Sequence, residues 1–301
     1  MAERRQTTIL ILGATGTIAN LAAHELLSAG PDLRLRLTSH RTAGVAELER
    51  AFPDQEVLQV NYEDIDSLVR ALSGSDKALV IYPDFIDEKQ CCDALATAVS
   101  AAGGLEHLVR LLTYPPGLDF DDLSPAEREI PIGFVQGLLA RRALTARGLP
   151  ITLVNILSVF MSNLLWSAET IREENELVLP VLQDLTWIHP ANVAALCARI
   201  LMQGPVGQLD KTYDVIGVET LSQIDVARLL ARNLGRPIRY SDDSKLVHKV
   251  FGDDAGLFLK YFEFERARYA DVSGYQPIDA LLDGPPRTMQ DWISENITRF
   301  Q

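Results

Sequence analysis

Apolar stretches and turn residues alternate along the first half of the chain in a regular order. Thr7–Leu12 (TTILIL) is an apolar, partly β-branched run of strand length, and Thr17–Ser28 carries Ile18, Leu21, Ala22 and Leu26 at helical spacing. Leu33–Thr38 reads as a second strand, Thr42–Ala51 as its helix and Glu56–Val60 as a third strand. Asp64 is placed to cap a helix through Leu72, because an aspartate accepts the free N–H groups of a first turn. Ala78–Tyr82 follows as a fourth strand, Glu88–Ala102 as a helix stopped by Gly103-Gly104, and His107–Leu112 as a fifth strand. Strands alternating with helices predict right-handed βαβ units. The fold class is therefore α/β, a doubly wound parallel sheet of Rossmann type covered on both faces.

The rhythm breaks at Thr113–Pro131, where four prolines and a run of acids predict a surface loop beside a site. Helical patterning resumes over Ile132–Arg147, with a sixth strand at Ile151–Leu157, a helix at Ala191–Met202 and a strand at Lys211–Ile216. Phe160–Asn175 and most of Ser222–Gln301 read as helices and turns without strand rhythm. This divides the chain into a nucleotide-binding domain over residues 1–157, to which segments around 187–217 return, and a smaller, mainly helical substrate lobe from residues 158–186 and 218–301.

The turn after the first strand carries the first candidate chemistry. Gly13 can take a tight turn, and Gly16 lets backbone N–H groups approach a pyrophosphate at the N-terminus of the following helix, where the macrodipole favours negative charge. Ala19 fills the third position of the fingerprint, where close packing suffices. Gly13, Thr15, Gly16, Thr17 and Ile18 are the expected cradle of a dinucleotide. Selection for NAD(H) normally uses a carboxylate about 20 residues further on. Here the second strand ends Thr38-Ser39-His40-Arg41. Arg41 can fork onto a 2′-phosphate and stack on adenine, with Ser39 or His40 adding a hydrogen bond, so NADP(H) is the expected cofactor. The bland reading of Arg41 is a solvated loop residue.

With 301 residues, 47% of them hydrophobic, the chain can bury a full α/β core and carry a second lobe. Its formal net charge of -13 argues against direct nucleic-acid binding, which draws on Lys and Arg against phosphates. MAERRQ followed by TTILIL has the flavour of a leader, but the apolar run is short and enters the glycine turn, so it reads as strand one. No stretch reaches bilayer length. Cys91, Cys92 and Cys197 suit neither a disulfide framework nor a zinc site, and a reducing cytoplasm fits. Asp119, Asp121, Asp122, Glu127 and Glu129 lack metal-ligand spacing and read as a solvated loop; no metal is expected. Tyr261–Arg266 (YFEFER) reads as a helix over the pocket.

Several motifs, in order, resemble the NmrA-like group of atypical short-chain dehydrogenases/reductases. They are GATGTIA (Gly13–Ala19), NYEDIDSL (Asn61–Leu68), LEHLVRLLT (Leu105–Thr113), GLPITLVNILSVFMSN (Gly148–Asn163), WIHPANVAAL (Trp187–Leu196) and ETLSQIDVARLLARNLGRPIRY (Glu219–Tyr240). The resemblance implies a nucleotide domain with a small C-terminal lobe, cofactor contacts at Asn61, which stands where an aspartate is usual, and a nicotinamide or substrate pocket walled by Phe160 and Asn163. It implies either a reductase or a cofactor-binding regulator. Short-chain dehydrogenases pair a tyrosine with a lysine four residues on, whose ammonium lowers the phenol pKa. No Tyr-x-x-x-Lys exists here, and no lysine lies between Lys89 and Lys211. The lysine that many of these reductases carry before Gly-Leu-Pro is replaced by Gly137 or its neighbour Gln136.

Catalytic candidates are then positional. Thr113 and Tyr114 follow strand five at the carboxyl edge of the sheet, Tyr82 closes strand four on the same edge and also borders the cofactor, and His189 stands near a helix start. Each has a structural alternative: Tyr114 as loop anchor, Tyr82 as packing, His189 as a local turn. The function expected is an NADPH-dependent reductase of a small apolar molecule of quinone, enone, ketone or imine class. The alternatives are a cofactor-assisted isomerase or cyclase, and a catalytically silent NADP(H) sensor that presents its state to a partner protein. A small-molecule substrate is the expected partner, with no nucleic acid or membrane; a protein partner or a homo-oligomer stays open.

Overall fold

The computed structural model describes residues 6–30, 32–180, 183–269, 272 and 274–301. The leader-like charges of residues 1–5 lie outside the described residues. Two compact units emerge, one running to Ile156 and resuming over Ala194–Asp214, the other comprising Leu157–Val193 and Val215–Gln301.

The N-terminal unit alternates β1 (Thr7–Leu12), α1 (Thr17–Ser28), β2 (Leu33–Ser39), α2 (Thr42–Ala51), β3 (Glu56–Gln59), α3 (Ile65–Leu72), β4 (Lys77–Val80), α4 (Glu88–Ala102) and β5 (His107–Leu112). Then come a one-turn α5 (Pro125–Arg128), α6 (Phe134–Thr145) and β6 (Ile151–Ile156). These six strands lie in the order β3-β2-β1-β4-β5-β6, every neighbouring pair parallel. A parallel sheet covered by crossover helices needs apolar side chains on both faces, and Ile9 to Leu12 of β1 are indeed wholly buried. Strand order reverses between β1 and β4. That topological switch opens a crevice at the carboxyl ends of the strands, where ligands of such sheets bind.

At the opposite, amino-terminal edge of β5 the fully buried His107 sets an acid limit on stability. Thr152 Oγ1 donates to Gln208 O at 2.7 Å, so His107 Nε2 donates to the same hydroxyl at 2.8 Å while Nδ1 is buried without a partner. Burial, with Lys77 nearby, pushes the imidazole down to about 4. The unfolded chain takes up this proton near pH 6.5 and the folded chain does so only near 4. Stability held above pH 6.5 is therefore lost as pH falls between them, by up to about 3 kcal/mol. Denaturant titrations from pH 7 to 4 should show this slope, and His107→Gln, which keeps a donor but cannot titrate, should flatten it; parallel slopes would refute the assignment.

In the C-terminal unit, β7 (Val159–Phe160) leads into a 3-10 turn, Met161–Ser167, then α7 (Ala168–Glu174), β8 (Glu176–Val178) and β9 (Asp184–Ile188). The helix α8 (Pro190–Gln203) and the strand β10 (Thr212–Ile216) each begin in one unit and end in the other. After them come β11 (Glu219–Ser222), α9 (Gln223–Leu234), β12 (Arg239–Ser241), α10 (Ser244–Phe251), α11 (Ala255–Arg268), β13 (Gln276–Pro277) and α12 (Met289–Asn296). The strand β10 extends the main sheet beyond β6, and β13 pairs with β10 in parallel as the eighth strand.

The unit also contains two small sheets, β11-β9-β7 and β12-β8, of whose strands only β12 lies wholly within the stretches read as free of strand rhythm. Strands of two to five residues are too short to show a clear period of two, which is why the pattern misses them. The core of this unit gathers Trp187, Met161, Leu164, Leu230, Trp292 and Phe300, all buried. Among the described residues, no helix is long and apolar enough to cross a membrane.

Candidate functional site

The glycine turn closes on β4. Gly13 has φ +80°, and a Cβ there would lie 2.1 Å from Ile81 O, so only glycine fits. Its carbonyl accepts from Gly16 N–H at 2.9 Å, and Ala14 N–H donates to Thr38 O at 3.0 Å, which ties the turn to β2. The N-cap of α1 is Gly16, with no side-chain cap and no acid in the first turn. Among the described residues the helix thus starts with the unbonded N–H groups of exposed Thr17 and half-buried Ile18, as an anion site requires.

At the end of β2, Ser39 is fully buried and its Oγ accepts from Arg41 N–H at 3.2 Å. A Cβ at Gly44 would come within 2.3 Å of that Oγ and 2.9 Å of Thr15 Cγ2, so α2 packs directly on the glycine turn. Arg41 is the exposed N-cap of α2 and has no ion-pair partner among the described residues. His40 is exposed, its ring 5.6 Å from that of Tyr62. Exposed Asn61 uses Oδ1 to accept from Glu63 N–H at 3.1 Å, shaping the turn into α3, whose N-cap is Asp64.

At or beyond the ends of β3 and β4 and on β5, Tyr62, Tyr82 and Arg110 form a row of stacked groups that pattern reading missed. Buried Tyr62 lies 4.8 Å from Tyr82, and the Arg110 guanidinium stands 4.7 Å from the Tyr82 ring centroid. Arg110 projects from β5 to an ion pair with Glu88 at the first turn of α4 and also donates to Val80 O at 3.2 Å. Tyr82 Oη, Glu88 Oε2 and Arg110 Nε are buried there without hydrogen-bond partners among the described residues. Burial holds the Tyr82 phenol well above its ordinary value. One sign was legible: an arginine inside the apolar strand HLVRLL must find a buried acid.

Thr113 Oγ1 donates to Ile156 O at 2.9 Å. Tyr114 is buried; its N–H donates to Asn155 Oδ1 and its carbonyl accepts from Asn155 Nδ2, both at 2.9 Å. The Arg141 guanidinium covers its ring at 4.8 Å, and burial pushes its phenol up. These bonds hold the Tyr114 backbone at the head of the loop. The acids of the following loop cap short turns or meet Arg141 and Arg142 at 3.1 Å. Burial also pushes the Cys91 and Cys197 thiols up, to about 11 and about 12, which leaves them unreactive.

In the C-terminal unit, His189 is buried at the start of α8. Its Nδ1 accepts from Ala191 N–H at 3.1 Å, which leaves the proton on Nε2, 3.4 Å from Glu295 Oε2. Burial lowers its pKa and Glu295 opposes that shift; the ring offers its Nε2–H as a hydrogen-bond donor. Phe160 and Asn163 are half-buried at and just after β7. One group escaped the pattern altogether. Tyr261 donates to Glu265 at 2.8 Å on α11, and burial raises that carboxyl to about 7. A carboxylic acid that keeps its proton near neutrality is a general-acid candidate.

The chain is 30% identical over 233 residues to an NAD(P)H azoreductase of Xenophilus azovorans, covering 77% of this chain and 76% of that one. It is 29% identical over 304 residues to a (4-alkanoyl-5-oxo-2,5-dihydrofuran-3-yl)methyl phosphate reductase of Streptomyces griseus subsp. griseus, covering 97% and 99% of the two chains. Its fold is shared with an NADPH-dependent quinone oxidoreductase of Escherichia coli solved with NADPH, at TM-score 0.74 and 20% identity over 96% of this chain and 99% of that one. The NmrA-like family is matched across residues 5–293, from the approach to the glycine turn to the last helix, and the chain belongs to that family.

Proposed function

We propose that this chain is an NADPH-dependent reductase of a small, largely apolar organic acceptor of quinone, enone, ketone or imine type. The observation that carries the reading is the pairing of an uncapped α1 N-terminus, free to hold a pyrophosphate, with a carboxylate-free β2 edge where Arg41 stands exposed and, among the described residues, without an ionic partner. The azoreductase and furanone-phosphate reductase relatives support it. NADPH brings the hydride; the chain need only hold it, orient the acceptor and supply a proton. Gly13 to Ile18 would hold the pyrophosphate and Arg41, with His40, the 2′-phosphate. Lacking the lysine partner, the chain would take the proton from another acid; the Tyr261–Glu265 pair, whose carboxyl burial raises to about 7, is a candidate, and neutral His189 would act as a hydrogen-bond donor.

Arg41→Ala should weaken NADPH binding by about 10- to 100-fold, the worth of a charge-assisted fork, and leave NADH binding unchanged. Calorimetric titration of both cofactors measures this, and equal affinity for NADH in the parent chain would sink the NADP assignment. An acceptor panel followed by NADPH oxidation tests the reductase reading. Tight NADPH binding with no turnover across quinones, enones, ketones and imines would favour the silent sensor, which the missing lysine also motivates.

A further inference from the structure

The turn that leaves β2 is held by side chains from two strands. His40, Arg41 and Thr42 are all exposed, yet the backbone around them is pinned at four points. Arg41 N–H donates to the buried Ser39 Oγ at 3.2 Å, and Arg41 O accepts from Val45 N–H at 3.1 Å in the first turn of α2. On the neighbouring strand β3, Gln59 lies opposite Ser39 in the parallel register. Its Nε2 donates to His40 O at 3.2 Å, and its Oε1 accepts from Thr42 Oγ1 at 3.3 Å. One amide therefore bridges the residues on either side of Arg41, while the guanidinium has no ion-pair partner among the described residues.

We propose that Gln59 is a positioning residue for cofactor choice: by bracing His40 and Thr42 it fixes the backbone from which Arg41 reaches the 2′-phosphate of NADP(H). The proposal rests on the reading that Arg41 receives that phosphate. An arginine fork binds best from a backbone already in place, because the entropy of ordering a surface turn on binding is subtracted from the affinity. An amide is the group suited to this bracing. It donates through nitrogen and accepts through oxygen at once, whereas a carboxylate could only accept and would set a negative charge beside the phosphate. Ser39 serves the same end from inside. Its hydroxyl is fully buried beneath α2, where a Cβ at Gly44 would come within 2.3 Å of it, and it is engaged by Arg41 N–H. The two braces come from different strands, so they exist only once β2 and β3 have paired, and local spacing does not reveal them.

Calorimetric titration of the full chain with NADPH and with NADH tests this. Gln59→Met keeps the reach of the side chain and removes both hydrogen bonds. It should weaken NADPH binding about three- to tenfold and change NADH affinity by less than about twofold. Because the effect passes through Arg41, adding Gln59→Met to Arg41→Ala should weaken NADPH binding by less than about twofold beyond Arg41→Ala alone. If Gln59→Met does not fold, Gln59→Ala serves with the same expectations. Equal losses for NADPH and NADH would reduce Gln59 to a general support of the sheet edge, and no loss for either would show that the turn needs no brace; both results overturn the proposal. A fully additive loss on top of Arg41→Ala would also overturn it, by making Gln59 a direct ligand of the cofactor. The two readings fail differently. Unchanged NADPH affinity in Arg41→Ala would remove the role of Arg41 and the brace with it, whereas a loss in Arg41→Ala without one in Gln59→Met would remove the brace alone.

Discussion

Glu88→Ala is expected to lower the free energy of unfolding by about 3–5 kcal/mol, because it strands the Arg110 guanidinium in the interior without its counter-charge. Both side chains are almost wholly buried, 3% and 8% exposed, so water cannot take over the role of the missing carboxylate. The same geometry predicts that the double replacement Glu88→Leu with Arg110→Met returns most of the loss. Removing both charges abolishes two desolvation costs along with one attraction. Urea unfolding of Glu88→Leu, Arg110→Met and the double variant, with Glu88→Ala beside them, measures the cycle. A Glu88→Ala cost below about 1 kcal/mol would place the pair with ordinary surface ion pairs and refute its interior role. A second readout follows from the stacked row. Arg110 supports the Tyr82 ring, Tyr82 supports Tyr62, and Tyr62 contacts His40 at the edge proposed for the 2′-phosphate. Loss of the ion pair should therefore weaken NADPH binding as well as stability.

How much of this was readable in the chain depended on the length over which each signal extends. The strands of the nucleotide half announce themselves because a buried parallel strand must be apolar throughout; β1, β5, α1, α2 and α4 fall at the residues the pattern marks. The glycine turn was legible for a related reason: Gly13 has a backbone conformation and a neighbour, Ile81 O, that exclude any side chain. In the C-terminal unit the strands are two to five residues long and their partners are distant in sequence, as with β9 and β11 or β8 and β12, so no local period existed to find. Site chemistry was legible only where composition implied it. The missing carboxylate after β2 pointed to Arg41 from the letters alone. That the Ser39 hydroxyl turns inward onto Arg41 N–H, or that half-buried Glu265 accepts from Tyr261, depends on which way a side chain faces, and spacing does not encode that.

Gly137→Lys should fail to accumulate as a folded protein, whereas Gln136→Lys should fold. At Gly137, inside α6, an added Cβ would lie 1.9 Å from Thr113 O and 2.9 Å from Thr113 C, backbone atoms that cannot rotate away. Accommodating even a methyl requires the helix and the end of β5 to part by an ångström or more. That disrupts Thr113 and Tyr114, whose bonds to Ile156 and Asn155 fix the loop. Gly137→Ala should accordingly cost about 3 kcal/mol or more, at the upper end for an overpacked site, and the longer lysine more still. Gln136 is half-buried, with its amide donating to Ile130 O at 3.2 Å, so a lysine there forfeits one hydrogen bond and about 1 kcal/mol. Thermal unfolding of Gly137→Ala and Gln136→Lys measures the contrast. A Gly137→Ala cost under about 0.5 kcal/mol would show that the helix can yield and that the packing argument is mistaken. The contrast also bears on chemistry. A helix seated this closely on the end of β5 has no room for an ammonium at position 137. If the proton comes from the C-terminal unit, Gln136→Lys should leave NADPH turnover within a factor of about three, since an added cation at that helix would substitute for nothing the reaction uses.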